Sequence, residues 1–556
     1  MKIQNLIALN KIATILSVLI LTSNWVYAQN NEGDLEDIEV IIQKDKDIVL
    51  PRANRNYQKI KQTPEIKSQP STDMQFGAHN IGLSPLDPSI RINKLKPEPL
   101  SKLYGNYLRG AFGNYTNTFF EAFLGNKRED KGFYNVMLSH NAFGSGPVDE
   151  SGSSMNSVNL NGGLFLDDMT LSSHVDYDRR AYNYYGFEND SIRESFRQNQ
   201  NFEDVQVFDV FNIGINLNKN NPSDYLRFDA GLDYNYLGDQ LNQNENLILG
   251  HFDGEYDFNI GQQIGLESRY LLADYSLDSL SSTRHLFEIS PSFSIEKDNL
   301  KFKGGLRMSY ESDTSLDGDL HFYPVARIDY SLLEGKLIPY AGIDGQIQAN
   351  TLNSFRNYNP FIQQNLLSHS NKSLEIYGGT NIYPGNKTRI NARIGLQNID
   401  NLPVMINNQG DPSKFTILYS DNSTIFNGHV GLSTQVSNRL ETGLILDYYS
   451  YNLSDSLESW HLPELETKLF SRYNINDKIY VNVDIFFING IFAYTTAETK
   501  MPLDPIIDLN LKLEYLFSNR ISSFVEAKNI LSNNYQRFLY YDSRGIQVRA
   551  GLTYSF

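Results

Sequence analysis

Three features of the chain predict an all-β protein, an antiparallel transmembrane β-barrel of the outer-membrane kind. Apolar and polar residues alternate with a period of two over most of the length, turn signals recur at long regular intervals, and the chain stops on an aromatic strand. The alternation is clearest in YLRFDAGLDYNY (225–236), where Leu226, Phe228, Ala230, Leu232, Tyr234 and Tyr236 share one face and Arg227, Asp229, Asp233 and Asn235 the other. KIYVNVDI (478–485) sets Ile479, Val481, Val483 and Ile485 against Asn482 and Asp484. DLNLKLEYLF (508–517) sets Leu509, Leu511, Leu513, Tyr515 and Phe517 against Asp508, Asn510, Lys512 and Glu514. No helical periodicity of comparable length interrupts the series.

A soluble sandwich also alternates, but its strands usually run about 5–6 residues. Here the segments reach about 12–16 residues, enough for the ~9–11 residues of a tilted membrane-crossing strand and its ends. Their polar faces carry full charges, as a wet lumen would tolerate. Turn signals fall at 218–224, 258–261, 296–299, 333–336, 384–387, 436–439, 475–478 and 517–520. Each interval has room for two strands and a longer loop, the outer-membrane arrangement of short periplasmic turns and longer external loops. Strands near 106–114, 118–127, 132–143, 156–167, 169–186 and 203–217 precede that series, which brings the total to about 22. The last segment, GIQVRAGLTYSF (545–556), then closes the barrel against the first, removing sheet edges that lipid could not hydrogen-bond.

The N-terminal region is different. Lys2 and Lys11 precede an apolar run at 12–21, and Val26-Tyr27-Ala28 fits a cleavage site, so 1–28 is expected to be a signal peptide. Residues 29–102 hold seven prolines between Pro51 and Pro99 among polar residues, composition for an extended periplasmic segment rather than a packed domain. The barrel is expected over 103–556. Mean hydropathy is −0.41, a value a barrel can have because only alternate strand residues meet lipid. The absence of cysteine excludes a disulfide framework, a lipid-attachment cysteine and thiolate metal sites. A net charge of −17 disfavours nucleic acid as a partner. The 35 Tyr and 32 Phe, against 2 Trp, suit strands and interfacial girdles.

The stretch 525–556, VEAKNILSNNYQRFLYYDSRGIQVRAGLTYSF, resembles the end of TonB-dependent outer-membrane receptors. Asn529-Ile530-Leu531, Tyr535, Arg544-Gly545 and the alternating strand to Phe556 carry the resemblance. It implies a barrel of 22 strands, with this segment supplying the last two. It also implies that the final strand, marked by Leu552, Tyr554 and Phe556, is read by the outer-membrane assembly machinery as well as closing the barrel. The family's receptors carry a globular plug ahead of the barrel, and no such domain is legible in 29–102. A barrel this wide needs an obstruction, which leaves either the 29–102 segment or a partner protein to supply one.

Asp37, Ile38, Glu39, Val40 and Ile41 look like a TonB box, the short strand a TonB-type energising protein grips by β-augmentation. They would equally suit a strand for another partner, or a β-prone piece of linker. Asp313, Asp317 and Asp319 around Gly318 lack EF-hand spacing and read as a solvated acidic loop tip. The nine His form no HxH or HxxxH pair, and no Ser–His motif supports an enzyme. No cofactor or metal is expected. Arg227, Asp229, Lys512 and Glu514 are lumen charges that either tune permeation or solvate the wall. Two functions follow: solute uptake across the outer membrane, or an accessory scaffold barrel in a larger outer-membrane assembly, secretion or uptake complex.

Overall fold

The computed structural model describes residues 105–556 except 127–129, 145, 199–203, 222, 278–279, 315–317, 364–366, 455–456 and 496–498. The signal peptide, the proline-rich segment and residues 37–41 lie outside the described residues. So does Asp317.

A single 22-stranded antiparallel sheet runs from Tyr107–Gly113 to Gln547–Ser555 and closes on itself. Closure is made by the last strand, with Leu108 opposite Tyr554, Gly110 opposite Leu552 and Gly113 opposite Arg549. The strands form a meander: each pairs with the next barrel strand in sequence, and two small hairpins, Leu402–Asn407 with Phe415–Ser420 and Phe492–Tyr494 with Lys500–Pro502, stand apart from the wall. The strands at the seam are the shortest. Tyr107–Gly113 has 7 residues, against 18 in Leu280–Lys297 on the other side of the barrel.

The faces follow the alternation. Leu232, Tyr234, Tyr236, Leu513, Tyr515, Leu552 and Tyr554 are exposed on the outside, where lipid replaces water as the solvent. Inside, charges meet across neighbouring strands: Arg227 with Asp257, His251 with Asp229 at 2.7 Å, Arg472 with Asp484 at 2.7 Å, and Arg109 with Glu121 at 3.7 Å. Lys512 and Glu514 are 3.4 Å apart on the same inner face. An apolar exterior around a hydrated, charge-paired interior is the pattern of a membrane barrel, and the protein is an outer-membrane β-barrel.

Each turn signal falls at a strand junction. Gly261 turns at φ 69, and an added Cβ would sit 2.3 Å from Glu296 O, so only glycine fits. Asn476 and Asp477 take φ 55 and 57, tolerable for short polar side chains that bond locally. The connections at the opposite end are longer, and in outer-membrane barrels that end faces outside. There the structure adds what periodicity did not predict: the two hairpins, and short helices α1 (Asp190–Arg197) and α2 (Leu352–Tyr358).

Candidate functional site: a loop-built cap at the barrel mouth

Described residues of the loops between strands at 184–204, 349–369, 401–422 and 529–546 share one apolar core, and the 453–464 loop meets it through His461 against Phe415 and Phe538. Tyr184, Leu352, Phe361, Ile362, Met405, Phe415, Ile417, Phe538 and Tyr541 pack together with Phe208, Val210, Leu237 and Tyr275, which point inward from the strand ends. Ile491, Ala493, Leu503 and Leu539 form a second cluster beside it, adding the 490–505 loop. The walls that receive this core are prepared for it. In Val205–Lys219 the inward positions read Gln206, Phe208 and Val210 near the loop end, then Asn212, Gly214, Asn216 and Asn218 toward the turn end. In Gln262–Leu277 the inward residues Leu271, Ala273 and Tyr275 near the loop end are all buried.

Two buried ion pairs anchor α2 to the wall. Arg356 lies 3.1 Å from Asp239, and both side chains are fully buried. Arg284 lies 2.9 Å from Glu245 and donates to Asn350 O at 2.7 Å, while the other oxygen of Glu245 accepts from Leu352 N, the first amide of α2, at 2.8 Å. Thr351 caps the helix and forms a capping box with Ser354. These charges satisfy amides and each other. Removing one partner would strand a buried charge.

His461 ties the loops together. Its N–H donates to Phe492 O at 2.8 Å, and its carbonyl accepts from Tyr358 OH at 2.8 Å and Arg537 Nη1 at 2.7 Å. Nδ1 is 2.8 Å from Met405 O, and Leu539 N approaches Nε2 at 3.3 Å. Since a carbonyl only accepts and an amide N–H only donates, the ring is assigned as the neutral tautomer with its proton on Nδ1. It sits edge-on to Phe415, with centroids 5.2 Å apart. Burial pulls its pKa down to about 4. The backbone there takes φ 58, in the left-handed region. Beside it Tyr541 stacks on Phe361 at 3.7 Å and donates its hydroxyl to Ser413 O.

A cavity of about 320 Å³ lies between this cap and the wall, lined by Ser153, Tyr182 and Gln547 of the strands and by Phe361, Arg537, Tyr541 and Arg544 of the loops. Two arginines and several aromatic rings facing one space can hold an anionic group and a flat body.

Leu552 and Tyr554 lie on the outer face of the closing strand, with Leu552 61% exposed; Tyr554 stacks on Phe556, whose N–H bonds Asn106 O. Of the residues that carry the family resemblance, Asn529, Tyr535 and Arg544 sit in the loop between the last two strands. Buried Asn529 donates its backbone N–H to the side-chain oxygens of Asp508 and Asn510, Tyr535 OH donates to Asp508 at 3.0 Å, and Arg544 reaches Ser151 and Ser153 across the seam. Their spacing thus describes how the last loop is tethered. Sequence reasoning missed His461, Arg537 and α2's anchors. The available signal was the inward face of the strands turning apolar toward the loop end. Among the described residues, no group of three acidic, His or Cys side chains could hold a metal.

No family model and no curated protein matches the chain. Solved structures do match in shape. The FrpB iron transporter from Neisseria meningitidis (F5-1 variant) superposes with a TM-score of 0.66 at 10% identity, over 82% of this chain and 83% of that one. The copper transporter OprC gives 0.61 at 12% identity over 83% and 82%. The ferric-catecholate import receptor Fiu from E. coli K12 gives 0.61 at 8% over 81% and 82%. Identity this low carries the fold alone, and that fold is the 22-stranded outer-membrane barrel of TonB-dependent receptors.

Proposed function

We propose that the protein takes a solute across the outer membrane and that its own loops gate the mouth. The cap carries this reading: a packed core with an adjoining cavity occupies the outward-facing end of a barrel shaped like an iron transporter, a copper transporter and a ferric-catecholate import receptor. In this reading the loops do at the outer face what a plug domain does in related receptors. A TonB-type partner would engage residues 37–41, and the Leu552, Tyr554 and Phe556 face would be read during assembly.

The test is conductance and solute flux of the purified full-length chain in planar bilayers and liposomes, with and without Arg356→Ala. The uptake reading expects a largely closed wild type and larger conductance once α2 loses its anchor. If both are equally silent, and the chain copurifies with other outer-membrane proteins at fixed stoichiometry, the accessory-scaffold function stands in its place.

A further inference from the structure

The cavity beside the last loop has a lopsided charge. Arg537 gives its hydrogen bonds to neutral oxygens, His461 O at 2.7 Å and Tyr358 OH at 2.8 Å. Arg544 does the same, from Nε to Ser151 O at 3.1 Å and from Nη2 to Ser153 Oγ at 2.8 Å. Neither forms an ion pair with a carboxylate among the described residues. Asp542, the acid on this wall, is engaged by the Gln536 amide at 2.8 Å. Elsewhere in the mouth the guanidiniums are neutralised, Arg356 by Asp239 and Arg284 by Glu245. Arg544 is mostly withdrawn from water, and burial pushes its pKa down. A half-buried guanidinium with no carboxylate within ion-pair reach carries part of the cost of desolvation uncompensated, and an incoming anion would recover it through charge-assisted hydrogen bonds. Donors remain for it: Arg537 Nε and Arg544 Nη1 have no hydrogen bond to the described residues.

The rest of the cavity selects for shape. Tyr182, Tyr185, Phe361 and Tyr541 supply flat apolar walls. At about 320 Å³ the space is at the small end of ligand pockets, which run from about 300 to 1,000 Å³. It has room for a single ring with one charged group.

We propose that this cavity is a binding site for a small aryl carboxylate or aryl phosphate, with Arg544 and Arg537 as its anion-binding residues. The assignment deepens the uptake reading and rests on it only for the fate of the bound molecule. A coupling follows. An anion that draws Arg537 toward the cavity competes with its bonds to His461 O and Tyr358 OH, which join the last loop to the 453–464 loop and α2. Occupancy therefore loosens the cap. Trp460, buried next to His461 with its ring 5.4 Å from Tyr494, reports that loosening by fluorescence.

The experiment is calorimetric titration of the detergent-purified full-length chain with phenyl phosphate, benzoate, inorganic phosphate and benzyl alcohol, following Trp460 emission in parallel. Saturable binding of phenyl phosphate or benzoate is expected, with benzyl alcohol and inorganic phosphate each about tenfold weaker or more, since one needs the charge and the other the ring. Arg544→Gln should weaken the aryl anion by about tenfold while heat-modifiable gel mobility stays normal. Lys301→Gln, at the turn end, should change nothing. Should Arg544→Gln fail to fold, Arg537→Gln makes the same test. The site is refuted if neither aryl anion saturates, if benzyl alcohol binds equally well, or if the folded arginine variant binds like wild type. Liposome flux of phenyl phosphate separates this from the uptake reading. Binding without flux keeps the site and removes uptake; flux that the arginine variants leave untouched keeps uptake and removes the site.

Discussion

Along Val205–Lys219 the lumen face changes from Asn212, Asn216 and Asn218 in the turn-ward part to Phe208 and Val210 near the loops. The turn-ward wall is stabilised by repetition. Each strand pairs with its neighbours in register, lipid covers the outside, and pairs such as Arg227–Asp257 and Arg549–Glu526 line the water-filled side. Each of these contributes little, since exposed ion pairs are worth roughly 0–1 kcal/mol. The loop end is a small core of soluble-protein type set inside a membrane barrel. It depends on a few irreplaceable contacts, Arg356–Asp239, Arg284–Glu245 and His461. The wall should therefore be tolerant except at its seam and on its lipid face, and the cap should be sensitive at single positions.

The largest effect is expected at the seam. Deleting Tyr554, Ser555 and Phe556 removes the pairing of Leu108 with Tyr554 and of Tyr107 with Ser555, leaving an edge in lipid that nothing satisfies. The truncated chain should fail to reach a folded state in the outer membrane, as judged by heat-modifiable mobility. A truncated chain that still folds and fractionates normally would mean that closure does not depend on the terminal residues.

Next comes the cap. Arg356→Ala leaves Asp239 buried without its cation, a loss of about 3–5 kcal/mol from the local packing. The barrel should remain heat-modifiable while protease reaches the 349–369 loop and Trp460 emission shifts to the red. Loss of the whole barrel instead would show that wall and cap unfold as one unit. On the wall, Leu511→Arg should cost roughly 2–4 kcal/mol if it meets lipid near the midplane, and Asn510→Arg, on the hydrated face beside Asp484, much less. Equal losses in a liposome unfolding assay would reverse the assignment of faces.

The wall was legible because its rule is local. Alternation and turn residues place strands with neighbours close in sequence, and Gly132–Phe143 falls where the pattern puts it. The cap was not, because its rule is remote. Arg356 and Asp239 are 117 residues apart, Tyr541 and Ser413 128, and Arg544 and Ser151 393, and no periodicity links them. Arg544 and Tyr535 were noticed for the segment's likeness to a receptor ending, but a tether and a strand look alike when only spacing is available. The strand ends were the missed clue. In VQVFDVF (205–211) the inward face gains Phe208 and Val210 where it nears the loops, and an inward-facing Phe208 in a hydrated lumen needs something to pack against.

The smallest predicted effect is a pH dependence confined to the cap. His461 is neutral in the folded cap, its pKa brought down to about 4 by burial and by the Arg537 charge beside it, while Met405 O at Nδ1 works the other way. In an opened cap the ring returns to about 6.5. The open form therefore takes up a proton first as pH falls, so the His461 contribution is complete above about 6.5 and drains away between 6.5 and about 4, where the closed form protonates as well. His369, at the foot of the 349–369 loop, is lowered to about 3 by burial and by Arg284 and acts in the same direction. Protonated His461 would present a second donor, on Nε2, to the N–H of Leu539, and the hub would lose that contact. Trp460 emission should shift to the red on acidification across this window, with no change in heat-modifiable mobility. His461→Gln should start from a looser cap and show a flatter response. A wild-type signal that stays constant from pH 7 to pH 4 would show that the wall-anchored ion pairs hold the cap without the histidine, and would shift the weight of the comparison from the loop hub to α2.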